Sequence, residues 1–332
     1  MALNYDTLSA LTREYIIPKL VDNIFKSTPF LFLMRDKNAI QVDGGKKVVA
    51  PLEYAASPAD SYSPYDSYSI SSYDIGTAAE VPWRHNYASI DIAGSEIRQN
   101  SGQAQVINLL AAKTKNAEKT LARNISYQLF ARGDASDPSG YGRGAKGIIG
   151  LAAAVDDGTN VATYAGISRT DYTWWKSASY TIPASGFDAS AFNEKFLEHI
   201  IGLVADGQDQ PDVIILPQHA YDDLYRNLVD KMRFSPGPLA KAGFQEIQVC
   251  GIPVTVDPHC PTDKGYVLNL DYLKFVIHSD ANFKVTDFEV STAHVDVSTA
   301  KVLVDANLIC SNCSKQAVIF GLNHITGEDV FT

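Results

Sequence analysis

Between Lys47 and Trp83 runs a stretch that cannot build a core of its own. Residues Glu53-Tyr-Ala-Ala-Ser-Pro-Ala-Asp-Ser-Tyr-Ser-Pro-Tyr-Asp-Ser-Tyr-Ser-Ile-Ser-Ser-Tyr-Asp74 are Ser, Tyr, Asp and Pro around one isolated Ile70. A loop of that length is uncommon inside a compact domain and is either functional or unstructured. Strand-like runs flank it, Lys47-Val-Val-Ala-Pro-Leu52 before and Tyr87-Ala-Ser-Ile-Asp-Ile92 after. The spacing predicts an extended two-stranded arm reaching away from the body. Its five tyrosines (Tyr54, Tyr62, Tyr65, Tyr68 and Tyr73) give large contact area at low entropic cost, which points to a partner on another surface.

The rest of the chain is built to fold. Its 332 residues and 45% hydrophobic content supply ample core. A net charge of −10 argues against an independent nucleic-acid binder, which needs a basic footprint. No apolar run has the length of a membrane span, and Met1-Ala-Leu-Asn-Tyr-Asp-Thr-Leu8 lacks the basic and apolar regions of a signal peptide. A reducing cytoplasm is the expected folding compartment. The four cysteines agree, because Cys310-Ser-Asn-Cys313 is a lone C-x-x-C without the second close pair that a zinc ribbon wants.

Residues 3–34 alternate helical patches with breaks at Pro18 and Pro29, a segmented arm. The patch Phe30-Leu31-Phe32-Leu33-Met34 needs cover, either as core or by docking on another subunit. From Asn100 the pattern changes. Asn100 and Gln103 form a capping-box arrangement, and Gln103 to Arg132 contains no Gly or Pro. Val106, Leu110, Ala117, Leu121, Ile125 and Leu129 recur at helical spacing until Gly133 ends the run. About thirty residues at 1.5 Å each make a spine of roughly 45 Å.

Gly140 to Gly150 is glycine-punctuated and reads as a linker, since no Gly-Lys-Ser/Thr follows to make a phosphate loop. Beyond it helix and strand mix. Phe192, Phe196, Ile200, Leu203 and Val204 form one helix face, capped by Asp188 or Ser190. Pro211-Asp-Val-Ile-Ile-Leu216 is a short buried strand, and Pro217 opens a helix carrying Tyr221, Leu224, Tyr225 and Leu228. Glu246 to Val256 reads as two strand pieces around a turn at Gly251. Tyr266–Leu270 and Leu273–His278 continue the sheet. Val295-Asp-Val, Lys301-Val-Leu-Val, Leu308-Ile-Cys and Ala317 to Leu322 are further strands.

Chemistry finds no foothold in this pattern. An enzyme offers a nucleophile with a base, a carboxylate pair or ligands at metal spacing. The seven histidines are scattered, and none sits in an H-E-x-x-H frame. Asp257-Pro-His259-Cys260 is the best candidate, an acid, an imidazole and a thiol on one turn. His294-Val-Asp296 is the next. Trp174-Trp175 reads as a packing pair. The residues therefore assign no catalytic role, no metal and no cofactor.

Several motifs in order carry a resemblance. Gly147-Ile-Ile-Gly150-Leu151, then Thr163-Tyr-Ala-Gly-Ile-Ser-Arg169 and Trp174-Trp-Lys-Ser177, resemble the start of the axial domain in major capsid proteins of tailed bacteriophages. Pro211 to Leu216, Gly251-Ile-Pro-Val-Thr-Val-Asp257, Gly265-Tyr-Val-Leu-Asn-Leu-Asp-Tyr-Leu273 and Val318-Ile-Phe-Gly321 are similar to later parts of that domain. The resemblance implies the Hong Kong ninety-seven-type capsid fold, of α+β class. Residues 1–45 would be the N-terminal arm and 46–93 the extended β-hairpin loop. Residues 94–143 and about 279–310 would be the peripheral domain, with the spine at Gln103–Arg132. Residues 144–278 and about 311–332 would be the axial domain.

It also implies a function. Such subunits assemble into pentamers and hexamers of an icosahedral shell around double-stranded DNA, in the virion, after assembly in the host bacterial cytoplasm. The implied partners are other copies of the chain, a scaffolding protein, a portal protein and DNA held by proximity, with no membrane. Arm-like sequence begins at once, so a separate scaffolding protein is the expectation. Some members cross-link loop lysines, but no lysine lies between Lys47 and Lys113, so a non-covalent shell is expected. An encapsulin-type nanocompartment shares this fold and is the first alternative. A hydrolase using the turn at Asp257–Cys260, with the loop as a lid, is the second.

Charge sharpens the expectation. Residues 48–85 carry Glu53, Asp60, Asp66, Asp74 and Glu80 against Arg84, a net −4. The spine carries Lys113, Lys115, Lys119, Arg123 and Arg132 against Glu118, a net +4. In the implied fold the loop lies over the neighbouring peripheral domain. The acidic loop would then be steered onto Lys113, Lys115, Lys119 and Arg123 next door, unless that face meets solvent or DNA. Phe30, Phe32 and Met34 would dock the arm.

Overall fold

Val213-Ile-Ile-Leu216 is buried at all four positions, the pattern of a strand covered on both faces. The structure is a computed structural model, and it describes residues 28–57, 59–67, 74–99, 109–134, 144–183, 191–228, 246–290 and 296–324. Segment 1–27, the Asn100/Gln103 cap, Tyr68, Tyr73, His294 and residues 140–143 of the glycine-punctuated linker lie outside them. The described residues fall into two units. The smaller draws on Tyr87–Ala122 and Phe283–Leu303, the larger on Lys26–Asn86, Arg123–Asn282 and Val304–Thr332.

The larger unit is organised on a mixed six-stranded sheet. Its order is Ala178–Thr181, Ala317–Phe320, Lys264–Leu268, Val213–Leu216, Ile252–Val256 and Glu246–Val249. Ile214 faces Val254 in parallel register on one side and Val267 in antiparallel register on the other. Two helices cover it. Glu194–Val204 buries Leu197, Ile200, Ile201 and Val204, and Gln218–Leu228 buries Ala220, Tyr221, Leu224 and Leu228. The first helix corrects the sequence reading. Asn193 caps it, its Oδ1 accepting from the Lys195 and Phe196 N–H groups at 3.0 and 3.4 Å. Ile201 takes the inward position, and Leu203 is 50% exposed. The turn between the last two strands places Cys250 at φ +52° and Gly251 at φ +82°, the paired positive angles of a tight hairpin.

Leu273–His278 does not continue this sheet. The short turn Leu270–Tyr272 redirects the chain, with the Asn269 side chain accepting from the Asp271 N–H. Leu273–His278 then pairs parallel with Ala39–Val42 and antiparallel with Val297–Cys310. The latter is one strand of 14 residues where the sequence suggested separate pieces. It starts in the smaller unit, where Lys284–Val285 and Glu289–Val290 pair with it, and ends in the larger.

The spine helix spans Leu109–Leu129, and Ala117, Leu121, Ile125 and Leu129 are its buried stripe. It stops short of Arg132 because the last N–H groups turn to nearer carbonyls, Phe130 to Tyr127 O and Ala131 to Gln128 O. Gly133 follows at φ +68°. In the smaller unit, Lys113 reaches Glu96 and the Asp91 carbonyl, and Arg98 reaches Asp296.

Lys47–Glu53 forms the predicted two-stranded arm, but with a different partner. Gly76–Pro82 returns beside it, Lys47 opposite Pro82 and Glu53 opposite Gly76. Arg84–Ala93, which holds the Tyr87–Ile92 run, pairs instead with Val297–Cys310. Gly-Thr-Ala-Ala-Glu-Val-Pro is weak strand sequence, and Ala79 and Val81 anchor it by burial on one face.

Candidate interaction surfaces

The hairpin stem alternates. Val48, Ala50 and Leu52 are half-buried, while Lys47, Val49, Pro51 and Glu53 face outward. A two-stranded hairpin is marginal alone. Here Lys47 pairs with Glu80 across the stem at 2.8 Å, and the Glu80 N–H donates to Ala165 O at 2.9 Å. At the tip, Ser63-Pro64-Tyr65-Asp66 forms a turn with proline at its second position. The Asp66 N–H donates to Ser63 O at 2.9 Å, and the Ser63 N–H donates back to Asp66 Oδ2 at 2.7 Å. Asp60 Oδ1 likewise accepts from the Ser61 N–H.

These carboxylates shape the tip as well as charging it. The turn leaves Tyr65 100% exposed, and Tyr62 is 87% exposed. Asp60, Asp66 and Asp74 are also in solvent. Tyr54 departs from the expectation of an outward contact. Its ring stacks on Trp174 of the same chain, centroids 5.4 Å apart and planes 4° apart.

The spine cations divide. Lys113 is engaged within its own unit, 2.5 Å from Glu96, and that bond holds the Glu96 carboxyl below its usual range. Lys115 and Arg123 are exposed, Arg123 lying over the Tyr127 ring at 5.7 Å, and Lys119 is half-buried. The apolar patch is mostly core. Phe30 and Met34 are fully buried in the helix Pro29–Lys37, and Phe30 packs on Phe130 at 5.3 Å. Those two residues therefore cannot dock on another surface as placed. Phe32, 45% exposed, points out.

The turn at Asp257–Cys260 is a structural knot. Asp257 accepts from the backbone N–H groups of Phe30 and His259 at 3.1 and 2.9 Å, and burial raises it to about 6. His259 Nδ1 contacts Ser126 Oγ at 2.8 Å. The Cys260 thiol donates to Lys264 O, and burial lifts its pKa well above the usual thiol value. Acid, imidazole and thiol thus each serve a different partner, which is the opposite of a relay.

Sequence reasoning missed a second knot. Arg169 is fully buried, and its guanidinium donates to the carbonyls of Trp175, Val161 and Ala154 at 3.2, 3.1 and 2.7 Å. It also faces Cys313 Sγ at 3.9 Å and the Tyr164 ring. Beside it, Asp156 Oδ2 gathers the N–H groups of Gly158, Asn160 and Val161. The Asp-Asp-Gly-Thr-Asn run was the available signal for that turn. Cys310 and Cys313 are buried here, Cys310 with its pKa raised by desolvation. Among the described residues no helix is long and apolar enough to cross a membrane.

Solved structures share this architecture from end to end. The capsid asymmetric unit of cyanophage A-1(L) matches at a TM-score of 0.70 and 21% identity, over 96% of this chain and 99% of that one. The capsid of an empty GTA particle matches at 0.65 and 9%, over 97% and 98%. The holo-SrpI encapsulin complex of Synechococcus elongatus PCC 7942 matches at 0.61 and 11%, over the whole of both chains. No protein-family model and no curated protein sequence matches the chain. At these identities the likeness lies in the fold: the chain has the α+β fold of tailed-phage capsid proteins.

Proposed function

We propose that this chain is the major capsid subunit of a tailed phage, a structural protein that closes into pentamers and hexamers around double-stranded DNA. The observation that carries this reading is the hairpin. Its stem is anchored on its own chain by Ala79 and Val81, while its tip holds Tyr65, on the turn, and Tyr62, just before it, in solvent without cover. A second copy supplies the missing surface. Heterologous contacts of this kind close into rings.

The acidic tip supports steering onto a basic face of the next subunit. Lys115 and Arg123 are the better receivers, because Lys113 already neutralises Glu96. No lysine lies between Lys47 and Lys113, so the contact made by the loop tip is aromatic and electrostatic, without a covalent lock. A scaffolding protein and a portal protein complete the proposed partners, with assembly in the host cytoplasm. Phe32 remains as the exposed docking point of the arm patch.

The encapsulin likeness favours one second reading, a shell that encloses protein. Negative-stain microscopy of the expressed chain, with nuclease treatment of purified particles, separates the outcomes. Closed shells with protected DNA support the phage reading, and shells holding only protein support the second. A monodisperse monomer under all conditions overturns both.

A further inference from the structure

Tyr54 is the first residue beyond the strand Lys47–Glu53, and its N–H donates to Ile75 O at 3.0 Å. It therefore sits on the last rung of the stem, where the loop begins. Its flat stack on Trp174 is closed on the side by Tyr172, which stands edge-on to Tyr54 at 6.2 Å and to Trp174 at 6.0 Å. Buried Trp175 backs the group, edge-on to Trp174 at 5.4 Å. Parallel and edge-to-face pairs are the arrangements that ring quadrupoles favour. At the opposite end of the stem the return strand is held by the burial of Ala79 and Val81 and by two polar ties, the Glu80 N–H to Ala165 O and Asn307 Nδ2 to Pro82 O at 2.7 Å. The far end rests on aromatic contact.

That contact contains its own opposition. Trp174 Nε1–H is shut away from solvent and has no hydrogen-bond acceptor among the described residues. A donor left unbonded away from water is destabilising. Swinging Tyr54 off the indole would wet the N–H, offsetting part of the stacking lost. The same residue thus holds the hairpin and lowers the barrier to letting it go.

We propose that Tyr54, Trp174 and Tyr172 form a releasable clamp on the root of the hairpin. Closed, it fixes the angle of the hairpin on its own chain. Open, it frees the loop end of the stem, which stays held at its other end, and hydrates the Trp174 indole. The clamp acts within one chain and stands apart from the assembly reading.

Hydrogen–deuterium exchange on the full, unassembled chain tests it. Tyr54→Leu is expected to speed exchange across Lys47–Glu53 and Gly76–Pro82 by roughly three- to tenfold, the size of an aromatic-pair contribution, with Val213–Leu216 unchanged. Trp174→Phe keeps a flat ring and removes the orphan donor, so hairpin exchange should become slower than in the natural chain. Simple loss of packing area would make it faster. Unchanged hairpin exchange in Tyr54→Leu, or equal or faster exchange in Trp174→Phe, overturns the clamp. Neither result depends on a shell forming.

Discussion

The backbone N–H of Phe30 donates to Asp257 Oδ2 at 3.1 Å, across 227 residues of sequence. Phe30 is in the first turn of the helix Pro29–Lys37, whose own N-cap, Thr28, makes no side-chain bond. Asp257 therefore caps that helix from a distant turn, and it does so while buried.

The carboxylate should leave a signature in pH. Burial raises Asp257 from 3.8 to about 6, against the two N–H bonds that favour its charged form. A folded pKa above the unfolded one means that the folded chain holds the proton more tightly. The contribution is then fully present below the unfolded pKa and lost as pH rises through the folded one, on the order of 2–3 kcal/mol. Urea denaturation at about pH 4.5 and about pH 7.5 should show a smaller stability difference in Asp257→Asn than in the natural chain. Equal differences would remove Asp257 from the account.

Two glycines should respond in opposite directions. A Cβ at Gly150 would run into the backbone carbonyls of Gln128 and Leu129, neither of which can yield without unwinding the end of the spine. Gly150→Ala is expected to cost about 3 kcal/mol or more. Gly202 is exposed in the helix Glu194–Val204 with nothing near its Cβ position. Gly202→Ala should add roughly 0.5–1 kcal/mol, read as a higher melting temperature.

Arg169 should not tolerate even a conservative change. Its three carbonyl partners diverge, and a lysine ammonium lacks the planar fork that reaches all of them. Arg169→Lys is expected to destabilise by about 2–4 kcal/mol through carbonyls left unpaired. Chemical denaturation followed by tryptophan emission reports it, since Trp175 O is one acceptor.

Thiol chemistry should distinguish the cysteines sharply. Cys250 is exposed on its turn, and Cys260, Cys310 and Cys313 are buried. Mass spectrometry after brief maleimide treatment should find label on Cys250 alone in the native chain, and on all four cysteines after unfolding. Native labelling of Cys310 or Cys313 would contradict the packing around Arg169.

Charge reversal should separate the spine cations. Lys115→Glu and Arg123→Glu are expected to slow assembly roughly tenfold at low salt and to flatten its salt dependence. Glu96→Gln should instead act by releasing Lys113 and lowering local stability, with the salt response of assembly kept.

Much of this architecture is written in local patterns. The spine is readable because Ala117, Leu121, Ile125 and Leu129 recur without a break, and the central strand because Val213 to Leu216 admits no polar residue. What escapes the sequence is non-local. The return strand Gly76–Pro82 is held by burial of Ala79 and Val81, small contacts that give no strong pattern. Arg169 looks like a surface residue until the folded loop around it turns the carbonyls of Ala154, Val161 and Trp175 onto its guanidinium. Tyr54 is indistinguishable from Tyr62 and Tyr65 in composition, and only Trp174, far along the chain, sets it apart. The same applies to Phe30, which packs on Phe130 and bonds the turn at Asp257.

The parallel pairing of Ala39–Val42 with Leu273–His278 has a consequence in time. Ala39 lies opposite Phe275, so the partner emerges from the ribosome long after the first strand. The two units interleave in sequence, so neither is complete until the strand Val297–Cys310 has been made. Closing such distant contacts is slow, and apolar surface stays open in the meantime. Such a chain completes its fold only once Val297–Cys310 is available. Its yield in the cell should then depend on how well the newborn polypeptide is sheltered over that interval.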